Sequence, residues 1–407
     1  MSAADTPPQP ARPRLHPVVK AAGWVSFLTD LGSEMIYPLL PEFITVKLGA
    51  STATFGVIEG FAEGTPAVVR YFSGTWADVV RDRKWLVLAG YSLSSAAKPF
   101  IALAQITPVV FILRVLDKIG KGIRTAPRDA IVADYSEGMQ GRAFGYQRAM
   151  DHAGAVGGGL ACYVLLRWLG LDITWVIGLS VIPGLLTILV IALFVHDRPG
   201  REVKPAGKAS PGDDPGPIPL GRTYRSYLVA ATLFALANSS DAFLLLRAKE
   251  MGMEVILMPL AWAVLHVVKT LTSLAGGILS DRVGRRPVLL FGWLLYAAVY
   301  GSFAEFTGVS AAWALFAVYG VFFGATEGVA KAFVADFIPR GARGRAFGLL
   351  GMVEGLMLIP TSIFTGWLWN CTGSGHIPLL VNAAFAVAAA AWLILFVRPE
   401  KKELPAK

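Results

Sequence analysis

Charged side chains within long apolar stretches are the residues of this sequence best placed to do chemistry. Asp30 and Glu34 are four residues apart in the first stretch, so a helix puts both carboxylates on one face, with Tyr37 beside them. When the two halves of the chain are aligned, Asp241 occupies the position that corresponds to Glu34. A charge inside a bilayer costs about 2.5–3.5 kcal/mol on insertion scales and persists where it is paired or faces a cavity. We therefore expect these three carboxylates to bind and release protons.

The fourth apolar stretch is dominated by positive charge. Its basic residues recur along one side, with a single acid among them, and this pattern favours binding of an anionic or zwitterionic group. Residues in the first and tenth stretches are expected to contribute to the same site. The predicted solute-binding residues are Tyr37, Arg114, Asp117, Lys118, Lys121, Glu327 and Lys331.

The other charges in the apolar stretches are too numerous to be tolerated singly, so we expect most of them to neutralise one another between helices. The predicted members of this buried charge network are Glu59, Glu63, Arg70, Lys98, Arg148, Asp151, His152 and Glu354. A purely structural role for the network is the alternative to a role in binding.

Composition assigns the chain to a membrane. Of its 407 residues, 55% are hydrophobic and 16% are charged, whereas soluble proteins carry about 25% charged residues. The apolar residues form blocks of about 20 rather than an alternating pattern, which favours transmembrane helices over a β-barrel. The predicted spans are 20–45, 53–78, 85–105, 107–126, 143–166, 173–195, 226–248, 254–277, 287–305, 311–336, 346–368 and 377–397.

The distribution of basic residues predicts an orientation. Most Lys and Arg residues, including Arg124 and Arg128, are expected in the loops on the side of the two termini, which by the positive-inside rule is cytoplasmic. Topology thereby explains the formal net charge of +9 without a nucleic-acid partner. The first residues lack an apolar segment, so no signal peptide is expected. We expect a monomeric, multi-pass protein of the bacterial cytoplasmic (inner) membrane with both termini in the cytoplasm.

An internal repeat relates the two halves. Gly74 and Asp78 recur as Gly277 and Asp281, and a basic cluster follows each copy. Repeated matches at nearly one offset indicate two homologous halves in parallel orientation. The fold class expected is an all-α integral membrane protein, with twelve transmembrane helices in two pseudo-symmetric six-helix bundles. The predicted domains are an N-terminal tail 1–17, a bundle 18–196, a linker 197–225, a bundle 226–398 and a C-terminal tail 399–407.

The repeated loop motif resembles that of the major facilitator superfamily, in which G-x-x-x-D precedes a basic cluster. The runs 34–41 and 117–129 further resemble a bacterial permease branch of that superfamily. The resemblance covers residues 18–400. It implies the major facilitator fold, a central cavity lined by the first and fourth helices, and a drug/proton antiporter-like activity.

The motif has a physical role that can be stated from its charges. The two aspartates can accept hydrogen bonds at a neighbouring helix N-terminus, and the arginines beside them can bind Asp134 and Asp336, one loop later. We expect these contacts to latch the cytoplasmic side shut; a motif that only anchors the loop is the alternative. The predicted gate residues are Gly74, Asp78, Arg81, Arg83, Asp134, Arg142, Gly277, Asp281, Arg285, Asp336 and Arg345.

The sequence contains no catalytic constellation, ATP-binding loop or metal-ligand spacing, so we expect no enzyme, metal or cofactor. A channel or a transport-dead receptor is the alternative. A sustained solute flux that saturates at a carrier-like turnover would distinguish a transporter from both. We expect a secondary transporter that moves a small solute through the lipid bilayer by alternating access, coupled to protons. Export of amphiphilic compounds is favoured by the likeness to drug antiporters, and uptake of an organic anion or metal chelate is the alternative.

Overall fold

The computed structural model describes residues 15–197, 221–338 and 343–397. Residues 1–14 of the predicted N-terminal tail, the predicted C-terminal tail and most of the predicted linker therefore lie outside the described residues. Within these ranges the chain is helical and contains no strand. The helices are α1 Pro17–Ile36, α2 Thr52–Val79, α3 Arg83–Ile101, α4 Thr107–Asp134, α5 Gln140–Arg167, α6 Ile173–Phe194, α7 Arg222–Ala235 with Ala242–Glu250, α8 Met258–Val283, α9 Arg285–Glu305, α10 Val309–Phe337, α11 Arg343–Thr372 and α12 His376–Phe396.

Seven of these helices, α5, α6 and α8–α12, are long and apolar enough by themselves to cross a membrane. The others, α1–α4 and α7, are either rich in the charged residues discussed above or interrupted. The predicted all-helical membrane fold is confirmed. We call the side of the molecule with residues 15 and 397 the terminal side, and the other the opposite side.

Two helices depart from regular geometry. The first continues past Ile36 through a 3₁₀ turn and a short helical segment into a π turn that ends at Lys47. Pro38 and Pro41 lie in this stretch, and proline cannot donate a backbone hydrogen bond. The seventh helix is broken between Ala235 and Ala242, so the predicted span 226–248 is not one continuous helix.

The same packing pattern recurs in both halves. In the first half, α1 packs against α5 and α6, and α3 against α4 and α6, while α2 packs against α4. In the second half, α7 packs against α11 and α12, and α9 against α10 and α12, while α8 packs against α10. The repeat read from the sequence is therefore a repeat of structure.

The halves meet along two helix pairs, α2 with α11 and α5 with α8. Glycines allow the close approach. A Cβ atom added at Gly60 would lie 2.9 Å from the carbonyl oxygen of Ile359, and one at Gly64 would lie 2.7 Å from that of Gly355. These contacts lie toward the opposite side of the membrane.

The halves separate toward the terminal side. A Cβ atom added at Gly145, Gly277 or Gly348 would meet nothing within 4 Å, although these glycines lie on helices of the two contacting pairs. On the opposite side, Lys249 and Glu42 form an ion pair that joins the halves. The structure is therefore open toward the terminal side and closed toward the opposite side.

Candidate functional site

A polar cavity of about 50 Å³ lies among α1, α3 and α4 of the first half. Its walls carry charged residues from all three helices, including Asp30, Lys98 and Lys121. Small residues let α3 and α4 approach, because a Cβ atom at Gly90 would lie 2.7 Å from the carbonyl oxygen of Gly120. Charged side chains of both helices thus line one cavity, in which Lys98 and Arg124 are buried and Lys121 is exposed.

Arg114 lines this cavity, yet its guanidinium is bound within the protein. Its Nη2 donates to Oε1 of Glu59 at 2.8 Å and its Nε donates to the same oxygen at 3.2 Å. Glu59 is fully buried and Arg114 is 4% exposed. The pair joins α2 to α4, so Arg114, predicted to bind solute, belongs to the buried charge network.

Two further cations of the cavity have carboxylate partners. Lys118 Nζ donates to Oε1 of Glu63 at 2.6 Å. Lys98 Nζ lies 3.9 Å from Oδ1 of Asp117, an oxygen that also accepts a hydrogen bond from Ser94 at 2.5 Å. Three predicted binding residues and three predicted network residues therefore form one continuous set of ion pairs: Arg114, Asp117 and Lys118 with Glu59, Glu63 and Lys98.

Asp30 and Lys121 differ from these residues. Both line the cavity, and neither side chain has a hydrogen bond or ion pair within the described ranges. Glu34, one turn beyond Asp30, accepts a hydrogen bond at 2.7 Å from Nε1 of Trp262, a residue of the other half. These three residues line the polar cavity and have no ion-pair partner among the described residues, so they are its candidates for exchanging a proton or meeting a solute.

Hydrogen bonds connect the site to the break in α7. The hydroxyl of Tyr37 lies 3.3 Å from that of Ser240, which in turn donates to Oε2 of Glu59 at 3.2 Å. Asp241, the first residue after Ser240, accepts a hydrogen bond from the hydroxyl of Tyr319 at 2.6 Å. The break thus brings a predicted proton-binding residue to the junction of the two halves.

A larger cavity of about 420 Å³ lies in the second half and extends toward the terminal side. Phe234, Trp293 and Phe322 contribute aromatic walls. The predicted binding residues Glu327 and Lys331 also line it. This cavity can accept the apolar part of a solute.

Glu327 joins the halves through two cations. It lies 2.6 Å from Nη2 of Arg148 in the first half and 3.1 Å from Nζ of Lys269 in the second. Lys331, one turn farther along α10, is exposed. Glu327 and Lys331, both predicted to bind solute, therefore differ: Glu327 is held in ion pairs, whereas Lys331 is exposed.

The structure corrects three members of the predicted buried network. Arg70, Arg148 and Glu354 are exposed, since Arg70 faces Asp129 at 3.5 Å near the terminal side and the others border the opening between the halves. Glu59, Lys98 and His152 are buried as predicted, and Glu63 and Asp151 are half-buried.

The basic residues of the repeated loop form ion pairs within each half. Arg83 binds Asp134 and also Asp197, whose Oδ1 lies 2.5 Å from Nη2. Arg285 binds Asp336 in the corresponding place. The expected pairing is present, but it joins helices of the same half and not the two halves to each other.

The remaining gate residues also lie near the terminal side. Asp281 is 3.7 Å from Arg285, and the side chain of Asp78 lies outside the described part of the chain. The other members of the predicted set are Gly74, Arg81, Arg142, Gly277 and Arg345. The latch role of the set stays a prediction for the state in which the terminal side is closed.

Sequence reasoning missed Arg124. It is counted with Arg128 among the loop residues, although position 124 lies within the predicted fourth span 107–126; in the structure α4 continues to Asp134 and carries both arginines. Arg124 is 6% exposed and lines the polar cavity. The spacing in the sequence indicates this position, since Arg124 follows Lys121 by three residues and therefore lies on the same face of the helix.

Comparisons with known proteins identify the family. The sequence profile of the Major Facilitator Superfamily matches residues 22–268 and 266–407. An uncharacterised MFS-type transporter of Methanocaldococcus jannaschii is 33% identical over 386 residues, covering 92% of this chain and 93% of that protein. A hexuronate transporter of Bacillus subtilis is 25% identical over 405 residues, covering 93% of each chain. A mutant of the nucleoside transporter NupG has a similar structure, with a TM-score of 0.80 and 14% identity over 94% of this chain and 100% of that one. The chain therefore belongs to the Major Facilitator Superfamily, a family of membrane transporters and not of enzymes.

Proposed function

We propose that this transporter carries a small solute with an anionic group, by alternating access and with coupling to protons. One observation carries the proposal. The mid-depth cavity of the first half contains an unpaired ammonium, that of Lys121, beside an unpaired carboxylate, that of Asp30. An anion can bind the first group, and a proton can bind the second, so arrival of one changes the electrostatic surroundings of the other.

The likeness to a hexuronate transporter agrees with an anionic solute. Hexuronates carry a carboxylate, which suits a cationic wall. Glu34 and Asp241 are the further proton-binding residues of the proposal, because both lie where the halves meet and both accept hydrogen bonds that a protonated carboxyl would weaken.

Export of amphiphilic compounds is the second candidate function. The aromatic cavity of the second half favours it, because stacked rings can hold an apolar or planar solute. A solute with both an apolar part and a carboxylate fits both cavities, so the two candidates differ in whether the anionic group is needed.

The proposal includes the arrangement in the membrane. We infer one six-helix bundle at 18–196 and a second at 226–398, joined by the linker 197–225, with both termini in the cytoplasm of a bacterial cell. The two bundles rock about the α2–α11 and α5–α8 contacts in a monomer. Asp78 and Asp281 with their basic clusters close the cytoplasmic side in the other state.

Transport by purified protein in proteoliposomes tests the function. We expect uptake or efflux of radiolabelled glucuronate or benzoate to accelerate under an imposed pH gradient and to saturate with concentration. Ethidium tests the second candidate in the same vesicles. Faster movement of ethidium than of both anions, with no effect of the anions, would overturn the first proposal in favour of the second.

Variants test the coupling residues. We expect Asp30→Asn and Glu34→Gln to abolish uphill transport while leaving exchange of solute down its gradient. Glu305→Gln is the matched control, because Glu305 is an exposed carboxylate at the C-terminal end of α9 whose ion-pair partner among the described residues is His376. If both site variants accumulate solute at the wild-type rate, these carboxylates do not couple protons to transport.

A further inference from the structure

Arg124 presents a guanidinium that no described residue satisfies. Its side chain is in the polar cavity, and its Nη1 is buried without a hydrogen-bond partner. None of its other nitrogens donates to an acceptor within the described residues. A buried charge without acceptors is strongly unfavourable, so buried arginines ordinarily pair with carboxylates or carbonyls.

Other arginines of the molecule show the ordinary arrangement. Arg247 is 8% exposed and donates to the carbonyl oxygens of Phe303 and Ala304 and to Glu250. The unsatisfied state of Arg124 is therefore not a general property of buried arginines in this fold.

The position of Arg124 is fixed by packing on one face. Its guanidinium carbon lies 4.1 Å from the ring centroid of Tyr91, and Tyr91 is fully buried. A cation stacked on an aromatic ring keeps its planar edge available for hydrogen bonds. The close contact of α3 with α4 at Gly90 further limits movement of the Arg124 backbone.

Of the four other cations in the cavity lining, Lys121 and Lys98 keep capacity for an added acceptor. Lys121 shares the helix face of Arg124 and has no partner among the described residues. Lys98 donates to the hydroxyl of Ser33 at 2.7 Å and is 3.9 Å from Asp117, so it keeps capacity for another acceptor. Asp30, Glu34 and Asp117 are the acids in the cavity lining, and a bound anion competes with them for these cations.

We propose that Arg124 and Lys121 form an oxyanion subsite that binds the carboxylate or phosphate group of the transported solute. The guanidinium fork fits two oxygens of such a group, and the ammonium of Lys121 adds a point charge. A cavity of about 50 Å³ accommodates the anionic head of a solute and leaves the remainder to extend toward the opening between the halves. This inference rests on the proposed function and adds to it the recognising residue and the chemical group.

Binding to the purified full-length protein tests the subsite without transport. Benzoate, glucuronate and inorganic phosphate serve as probes at constant ionic strength, and benzamide serves as the neutral analogue of benzoate. Thermal unfolding and tryptophan fluorescence report binding, since Trp262 contacts Glu34 at the cavity wall. We expect at least one anion to raise the Tm of the wild type, and benzamide to leave it unchanged. A Tm rise with phosphate but not with benzoate or glucuronate would identify a phosphate as the group bound. A Tm rise with benzoate or glucuronate but not with phosphate would identify a carboxylate.

Substitutions identify the residue. We expect Arg124→Gln to be at least as stable as the wild type without anion, because it removes an unsatisfied charge, and to lose the Tm rise with anion. Arg124→Lys keeps the charge without the fork, and we expect its apparent Kd to rise tenfold or more, which equals about 1.4 kcal/mol. Arg167→Gln is the control for net charge, because Arg167 is exposed at the end of α5.

The outcomes separate this inference from the proposed function. An Arg124→Gln protein that is destabilised without anion and still gains the wild-type Tm rise would make Arg124 structural and overturn the subsite alone. A wild type that none of the three anions stabilises would overturn both proposals. If Arg124→Gln does not insert, an unchanged Kd in Arg124→Lys overturns the subsite.

Discussion

Replacing Arg114 by glutamine tests whether the buried pair between α2 and α4 holds the first half together. The substitution removes the guanidinium that donates twice to Glu59 and leaves a fully buried carboxylate without its cation. Breaking a buried ion pair from one side costs about 3–5 kcal/mol. For units the size of one half, 1 kcal/mol shifts Tm by about 2–4 °C, so we expect Arg114→Gln to lower Tm by roughly 6–20 °C.

The double variant distinguishes a lost pair from a general packing defect. Replacing both Arg114 and Glu59 by glutamine removes the uncompensated charge, so we expect its Tm to lie well above that of Arg114→Gln alone. Tm is measured in detergent at one scan rate, with Arg167→Gln as the control for net charge. A stable Arg114→Gln protein, or a double variant no more stable than Arg114→Gln, would refute the reasoning.

Three further predictions concern the opposite side. Lys249→Met removes an ion pair between the halves that is partly exposed, so we expect a shift toward the open opposite side of about 0.2–1 kcal/mol, measured by cysteine labelling in a background lacking native cysteines. Gly60→Val places side-chain atoms against the α11 backbone, so we expect increased labelling on the opposite side and loss of transport; normal transport would contradict this packing. Hydrogen bonds from Thr174 and Lys47 lower the pKa of Asp172 to about 2. A lowered pKa stabilises the fold above the ordinary value near 4, so we expect the Tm difference between wild type and Asp172→Asn to persist at neutral pH and to vanish as pH falls toward 2.

Several features follow from the sequence alone. The apolar blocks determined that the chain is helical and membrane-spanning, because a bilayer leaves backbone groups only internal partners. The repeat determined that the halves are alike. The prediction that arginines of the loop motif bind Asp134 and Asp336 agrees with the structure, in which Arg83 and Arg285 are those partners. These pairs were predictable because each joins residues at adjoining helix ends, where the loop lengths limit the choice of partner.

Only the tertiary structure decided which charged side chains form ion pairs and which have no acceptor among the described residues. From the sequence, Arg114 and Arg124 carry the same free-energy cost of placing an ion in a membrane. In the structure, however, Arg114 donates to Glu59, whereas Arg124 has no acceptor among the described residues. The difference depends on how the helix is rotated and which neighbouring helix each side chain contacts. The spacing of residues in the sequence shows only which of them lie on the same face of a helix. The same limit explains the exposure of Arg70 and the break that places Asp241 between the halves, since both depend on packing against residues far away in the chain.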